Sequence, residues 1–289
     1  MYKIILVFLI IYILLKSIKK PISHFANTNT SPKQKPYIWL YWDNVDNNMT
    51  PPFIELCRES VYKNCSEQFN IILLDKTNID KYLPEINSPE LKDKLDKLMI
   101  AHKVDIYRIM LLNRYGGIYI DSDVIVMKDL SDIIKKLEEY DFVGFGCTGN
   151  KCKSGYGMPS NWILASRPNT RLMKNILDRQ MEKLNQTKIE YHTIGKMAIW
   201  DVLGEMIKNG YKYFHYPNTV DGTRDKRGYW VTSDRVFSEE SIDYDDENNF
   251  LIYVFYNSEV SKKIKNLTKE ELLNKNWNFT KYLKKALKR

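Results

Sequence analysis

The sequence predicts an α/β fold behind a short apolar N-terminal segment, and two observations carry that reading. Short aromatic or β-branched runs alternate with helical stretches: "YIWLYW", then "PPFIELCRESVYKNC", then "FNIILLD". Such alternation is the pattern of βαβ units in a sheet of parallel strands. Further on, "YGGIYIDSDVIV" ends an apolar strand on two aspartates one residue apart, Asp121 and Asp123. Side chains at i and i+2 of a strand share a face, so two like charges meet there unless a cation lies between them.

The 289 residues allow one large domain or two modest ones. A hydrophobic content of 44%, 13% of the chain being aromatic, is enough for a sizeable core. The net charge of +8 is spread along the chain. No compact basic stripe interleaved with aromatics occurs, so no nucleic-acid partner is expected.

Residues 1–20 contain an unbroken apolar run from Ile4 to Leu15, flanked by Lys3 and by Lys16, Lys19 and Lys20. The run is shorter than the roughly 20 residues of a spanning helix, and cleaved signal peptides have apolar regions of this size. The following "SIKKP" offers no small-x-small cleavage site, which favours an uncleaved single-pass anchor. Lysines at both ends leave orientation open. Residues 21–36 are polar, Pro-containing and aperiodic, a tether, and residues 37–289 read as one domain. Sequons beginning at Asn29, Asn48, Asn64, Asn185, Asn266 and Asn278 give slight support to a lumenal, Golgi- or ER-like location for that domain. The cysteines (Cys57, Cys65, Cys147 and Cys152) match no zinc or redox spacing. Cys147 and Cys152 bracket a loop that a disulfide could close, and four free thiols are the alternative.

Along the domain, "KLMIAHKVDIYRIMLLNRYGG" is a largely buried helix stopped by Gly116 and Gly117. "YDFVGFG" and "WILAS" are two further strands, "KMAIWDVLGEMIKNG" an amphipathic helix, and "FLIYVFYNS" a late strand. Thr268 and Glu271 have the spacing of a capping box. The Lys-rich C-terminal helix carries Trp277, Tyr282 and Leu283. It can pack on its own domain or lie on anionic lipid.

Ligands of open α/β sheets bind beyond the carboxyl ends of strands, where Asp121 and Asp123 stand. Hard divalent cations take oxygen ligands of this kind. Asp105 and Arg108 sit at i, i+3 on the apolar helix just upstream and must pair or meet a polar ligand. Trp39 on the first strand offers a flat surface for a nucleobase, although core packing is the commoner task of a strand Trp.

Taken together, "DIYRIMLLNRYGGIYIDSDVIVMKDL" resembles the signature of Asp-x-Asp glycosyltransferases with a GT-A fold. It is most like the sugar-binding-region family that contains glycosyltransferase family 32 and capsular polysaccharide synthesis proteins. Asp105, Arg108, Tyr115, Gly116, Gly117, Asp121 and Asp123 match in order and spacing, and the opening βαβ pattern matches as well. The resemblance is good over roughly residues 37–170. It implies a GT-A type, Rossmann-like nucleotide-diphospho-sugar transferase and a metal-dependent transfer from a UDP- or GDP-sugar to a glycan or other hydroxyl acceptor.

By the same resemblance Asp123 ligates Mn2+ or Mg2+, and Asp121 faces the ribose and the metal's water shell. Asp105 binds sugar hydroxyls, Arg108 the sugar or diphosphate, and Trp39 the base. Asn161 faces donor or acceptor sugar, unless it is a turn residue after Pro159. The family's late His is missing. His215 in "FHYPN" reads as structural, and "FYNSE" places Asn257 or Ser258 where a further metal ligand is expected, as in clostridial-toxin glucosyltransferases. Retention of anomeric configuration is implied by the family alone.

Two other classes remain. A phosphatase of the haloacid dehalogenase type also sets Asp-x-Asp after a strand, but "DSDVI" misses its usual Thr or Val and lies late in the domain. A carbohydrate-binding protein that retains the fold without turnover is the other.

Overall fold

The computed structural model describes residues 34–44, 49–146, 158–255 and 264–288. Lys35 onward clusters as one unit. In chain order the elements are β1 (Tyr37–Tyr41), α1 (Pro52–Cys65), β2 (Asn70–Leu74), α2 (Ile79–Tyr82), α3 (Pro89–Asp96), α4 (Ile100–Tyr115), β3 (Gly117–Ile120) and β4 (Val124–Val126). There follow α5 (Ser131–Glu139), β5 (Phe142–Phe145), β6 (Ile163–Ser166), α6 (Arg171–Lys183), a π-helical turn (Thr193–Met197) and α7 (Ala198–Lys208). β7 (Phe214–Tyr216), α8 (Ser233–Val236), β8 (Ile252–Val254), α9 (Lys269–Leu273) and α10 (Asn278–Leu287) complete the described order.

The main sheet has six strands in the order β2-β1-β3-β6-β5-β7. β1 runs parallel to both β2 and β3, and β5 parallel to β7. β6 runs antiparallel to β3 and to β5, so the sheet is mixed rather than parallel throughout. The sequence between β5 and β6 is Gly-rich and has no helical period. A parallel neighbour needs a crossover, usually a helix; a direct return pairs antiparallel. β4 and β8 form a separate antiparallel pair. β4 and β7 are three residues each, too short to announce themselves by period.

Alternation along β1 divides the core. Trp39 and Tyr41 point to the layer of α4, α6 and α7, with Ile106, Leu172 and Leu203. Ile38 and Leu40 face the opposite layer with Val61, Ile133, Leu137 and Val143. A third cluster joins Phe53 and Leu56 of α1 to Tyr253 and to Phe279, Tyr282 and Leu283 of α10. The Lys-rich C-terminal helix therefore packs on its own domain, and the Thr268–Glu271 capping box opens α9.

α4 is buried on most of its circumference and ends on Gly116 at φ +66°. Gly117, at φ +93°, lets β3 start against Tyr37, whose carbonyl oxygen would lie 2.4 Å from an added Cβ. This double-glycine turn couples the helix bearing Asp105 and Arg108 directly to the strand that leads to Asp121. The apolar run Ile4–Leu15 and the pair Cys147 and Cys152 lie outside the described residues. Among the described residues no helix is long and apolar enough to cross a membrane, and Cys57 and Cys65 are free, buried thiols. Two sequon asparagines spend their amides internally, Asn64 on three backbone carbonyls and Asn278 on three others.

Candidate active site

Three residues of α4, His102, Asp105 and Arg108, follow one another at i, i+3 spacing and are buried despite their polarity. Arg108 is the hub. Its Nη2 lies 2.9 Å from Asp121 Oδ1 and 3.3 Å from Asp105 Oδ1. Its Nη1 donates to the Asn161 carbonyl, and its guanidinium sits 4.8 Å above the Tyr119 ring of β3. Asn161 Nδ2 donates to Asp105 Oδ1 at 2.9 Å, which makes Asn161 part of the cluster and not merely a turn residue.

Asp121 and Asp123 do not lie on the strand. β3 ends at Ile120, and Asp121–Asp123 form the turn into β4, with Val124 N donating to the Asp121 carbonyl. Asp121 N donates to Trp162 O at 2.8 Å and Ser122 Oγ to Tyr41 O at 2.9 Å, so the turn is clamped to β6 and β1. Strand alternation is therefore not what groups the two carboxylates; both act on Arg108 from this turn.

The cluster holds three carboxylates against one guanidinium. Burial raises Asp105 to about 6, with Arg108 and Asn161 opposing the rise. Burial likewise raises Asp121, with Arg108 opposing. Arg108 stays protonated, because Asp121 and Asp105 outweigh the burial that disfavours its charge. An excess of negative charge beside a partly exposed Asp121 and Asp123 is a setting into which a divalent cation fits. Among the described residues no group of three or more His, Cys, Asp or Glu side chains is placed to hold one alone. Two carboxylates completed by diphosphate oxygens and water are the coordination such ions often take.

A second wall comes from the π-helical turn. Gln180 of α6, fully buried, donates to the backbone carbonyls of Asp105 and Ile194 at 2.9 and 3.0 Å and ties the turn to α4. Gly195 touches the site so closely that an added Cβ would lie 2.3 Å from Asp105 Oδ2 and 2.5 Å from Asn161 Nδ2. Sequence reasoning missed both. Gln180 could have been noticed as a polar residue completing the apolar stripe Leu172, Met173 and Ile176. No local pattern marks Gly195.

Trp39 is a correction. It is fully buried, donates Nε1–H to Gly116 O at 2.9 Å and stacks on Tyr37, so no ring face is left for a nucleobase. Asn257 and Ser258 lie outside the described residues. His215 bonds Tyr213 at 3.0 Å and burial lowers it to about 4, in keeping with a structural side chain.

The family model for the capsular polysaccharide synthesis protein matches residues 9–275. The chain belongs to that family. Its curated relatives include an uncharacterised glycosyltransferase of Acanthamoeba polyphaga mimivirus, 31% identical over 140 residues, covering 47% of this chain and 51% of the relative. An O-glycosyltransferase of Annulohypoxylon truncatum is 25% identical over 154 residues, covering 49% and 36% respectively. The family member described here thus spans about half or less of the length of these relatives. Among solved structures, the glycosyltransferase PaToxG aligns with a TM-score of 0.47 at 16% identity over 61% of this chain and 71% of its own. The bifunctional glycosyltransferase WbbM aligns at 0.48 and 11% identity, over 91% and 51%.

Proposed function

We propose that the protein is a metal-dependent glycosyltransferase of GT-A type, moving a sugar from a UDP- or GDP-sugar to a hydroxyl of a glycan or similar acceptor, with retention. The observation that carries this reading is the buried Asp105–Arg108–Asp121 network with Asn161, set beside Asp123 at the carboxyl ends of β1 and β3. Family membership and the glycosyltransferase names of the curated relatives support it. A Mn2+ or Mg2+ held by Asp123 and Asp121 would supply Lewis-acid stabilisation of the leaving diphosphate.

The chain's own residues do the rest. Asp105, fixed by Asn161 and by the Gly195 contact, accepts hydrogen bonds from sugar hydroxyls. Arg108 presents a planar cation suited to phosphate or sugar oxygens while holding Asp121 in place. Residues 1–20 anchor the enzyme in a membrane, with the catalytic domain in a lumen.

Release of nucleoside diphosphate from a panel of nucleotide-sugars, with and without Mn2+, tests the reading. Mn2+-dependent release from one donor, reduced at least about 100-fold in Asp123→Asn, is expected. Phosphate release from simple monoesters would point to a phosphatase instead. Donor binding without release, whatever acceptor is added, would mark a binding protein.

A further inference from the structure

The stripe His102, Asp105, Arg108 is only partly used by the network. Asp105 and Arg108 pair with each other and with Asn161 and Asp121, although Arg108 Nε is buried without a hydrogen-bond partner among the described residues. His102 is only 4% exposed, yet its Nε2 is buried without a hydrogen-bond partner among the described residues. A buried polar atom left unpaired costs stability unless a ligand or water completes it. One turn of α4 separates it from Asp105, on the same face.

Beside His102 stands Tyr191, just before the π-helical turn whose Gly195 abuts Asp105. Its ring centroid is 6.5 Å from that of His102, and the residue is 56% exposed. Burial raises the pKa of its hydroxyl, and the charges of Asp105, Asp121 and Asp123 add to the rise. Met99 and Ile100 at the start of α4 and Met197 at the end of the π-helical turn are also exposed.

We propose that Tyr191 and His102 form a pyranose subsite beside Asp105: the Tyr191 ring covers the apolar face of the sugar, and His102 Nε2 hydrogen-bonds one of its hydroxyls. A pyranose offers a C–H face to an aromatic ring and a hydroxyl rim to His102 and Asp105, which matches this pairing of surfaces. The sugar can be that of the donor or that of the acceptor. The assignment rests on the glycosyl-transfer reading above.

The test uses the full chain and the substitutions Tyr191→Ala, Tyr191→Phe and His102→Phe, each checked by thermal melting. Tyr191 is exposed, so its variants are expected to melt as the wild type does. In Tyr191→Ala, KM should rise about tenfold for one sugar substrate while kcat stays near wild type. Tyr191→Phe should keep the wild-type KM. A raised donor KM assigns the subsite to the donor sugar, and a raised acceptor KM assigns it to the acceptor. Affinity for the free nucleoside diphosphate, read by calorimetry, should not change; a tenfold loss there would show base stacking and overturn the proposal. Unaltered KM for both substrates would also overturn it.

Saturation-transfer NMR with free monosaccharides separates this idea from the transfer reading. Sugar contact present in the wild type and lost in Tyr191→Ala, in a protein that turns over no donor, would leave the subsite standing while glycosyl transfer fails. Turnover without any contribution from Tyr191 would do the reverse.

Discussion

Gly195 and Trp39 show how single residues divide between chemistry and scaffolding. At Gly195 a methyl group has nowhere to go, because the 2.3 Å and 2.5 Å approaches are to Asp105 and Asn161, both held by other bonds. Gly195→Ala is therefore expected to shift the Asp105 carboxylate and lower turnover about 100-fold, with a stability loss of about 1–3 kcal/mol. Parallel turnover and melting measurements check it; wild-type activity would show that the site tolerates the shift. Trp39 is the opposite case. Trp39→Phe removes the bond to Gly116 O and part of the core volume, so about 1–3 kcal/mol of stability should be lost. Donor KM should not change. A raised KM with unaltered melting would restore Trp39 as a base-stacking residue. Asp105, Arg108, Asp121 and Asp123 were readable from the sequence because charges next to apolar runs need an explanation. His102 and Gly195 were not, since only the packed neighbours give them a role.

Among elements, the loop that edges β8 carries a buried charge of its own. Val254 N donates to the Asp221 carbonyl and Leu251 N to that of Val220, so the loop extends the small β4–β8 sheet. Asp221 is fully buried; its Oδ1 accepts from Thr223 N and Oγ1, and its Oδ2 has no partner among the described residues. Burial raises its pKa to about 7, against the lowering by Thr223 and Arg224. The folded state thus keeps a proton that the unfolded chain releases near pH 4, and stability contributed by this group falls as pH rises from about 4 to about 7. Asp221→Asn carries no such proton. Its melting temperature relative to wild type should climb across that window, and a flat difference between pH 4 and 8 would rule the account out. Helices α1, α4 and α7 and strands β1, β2, β3, β5 and β6 were readable from period and length, whereas α5 and α6 were not. β4 and β7 were not, because three-residue strands are made by their partners rather than by their own pattern.

For the whole molecule, the folded unit from Lys35 onward and the N-terminal apolar run can be tested separately. The full chain should float with liposomes in a density gradient, and a chain beginning at Pro21 should stay with the soluble fraction. Flotation of both would assign membrane contact to the Lys-rich surface, and sedimentation of both would remove the anchor from the account. The sequence by itself determined the α/β class, the helix–glycine–strand unit and the acidic residues at its end, because periodicity, glycine stops and the cost of burying charge act over short stretches of chain. Only the tertiary structure decided that β6 runs antiparallel, that Trp39 is core, and that Asn161, Gln180 and Gly195 close around Asp105. The contacts around Asp105 join residues 56 to 90 positions apart. No local rule encodes such a meeting, which arises when the two layers of helices bury the sheet between them.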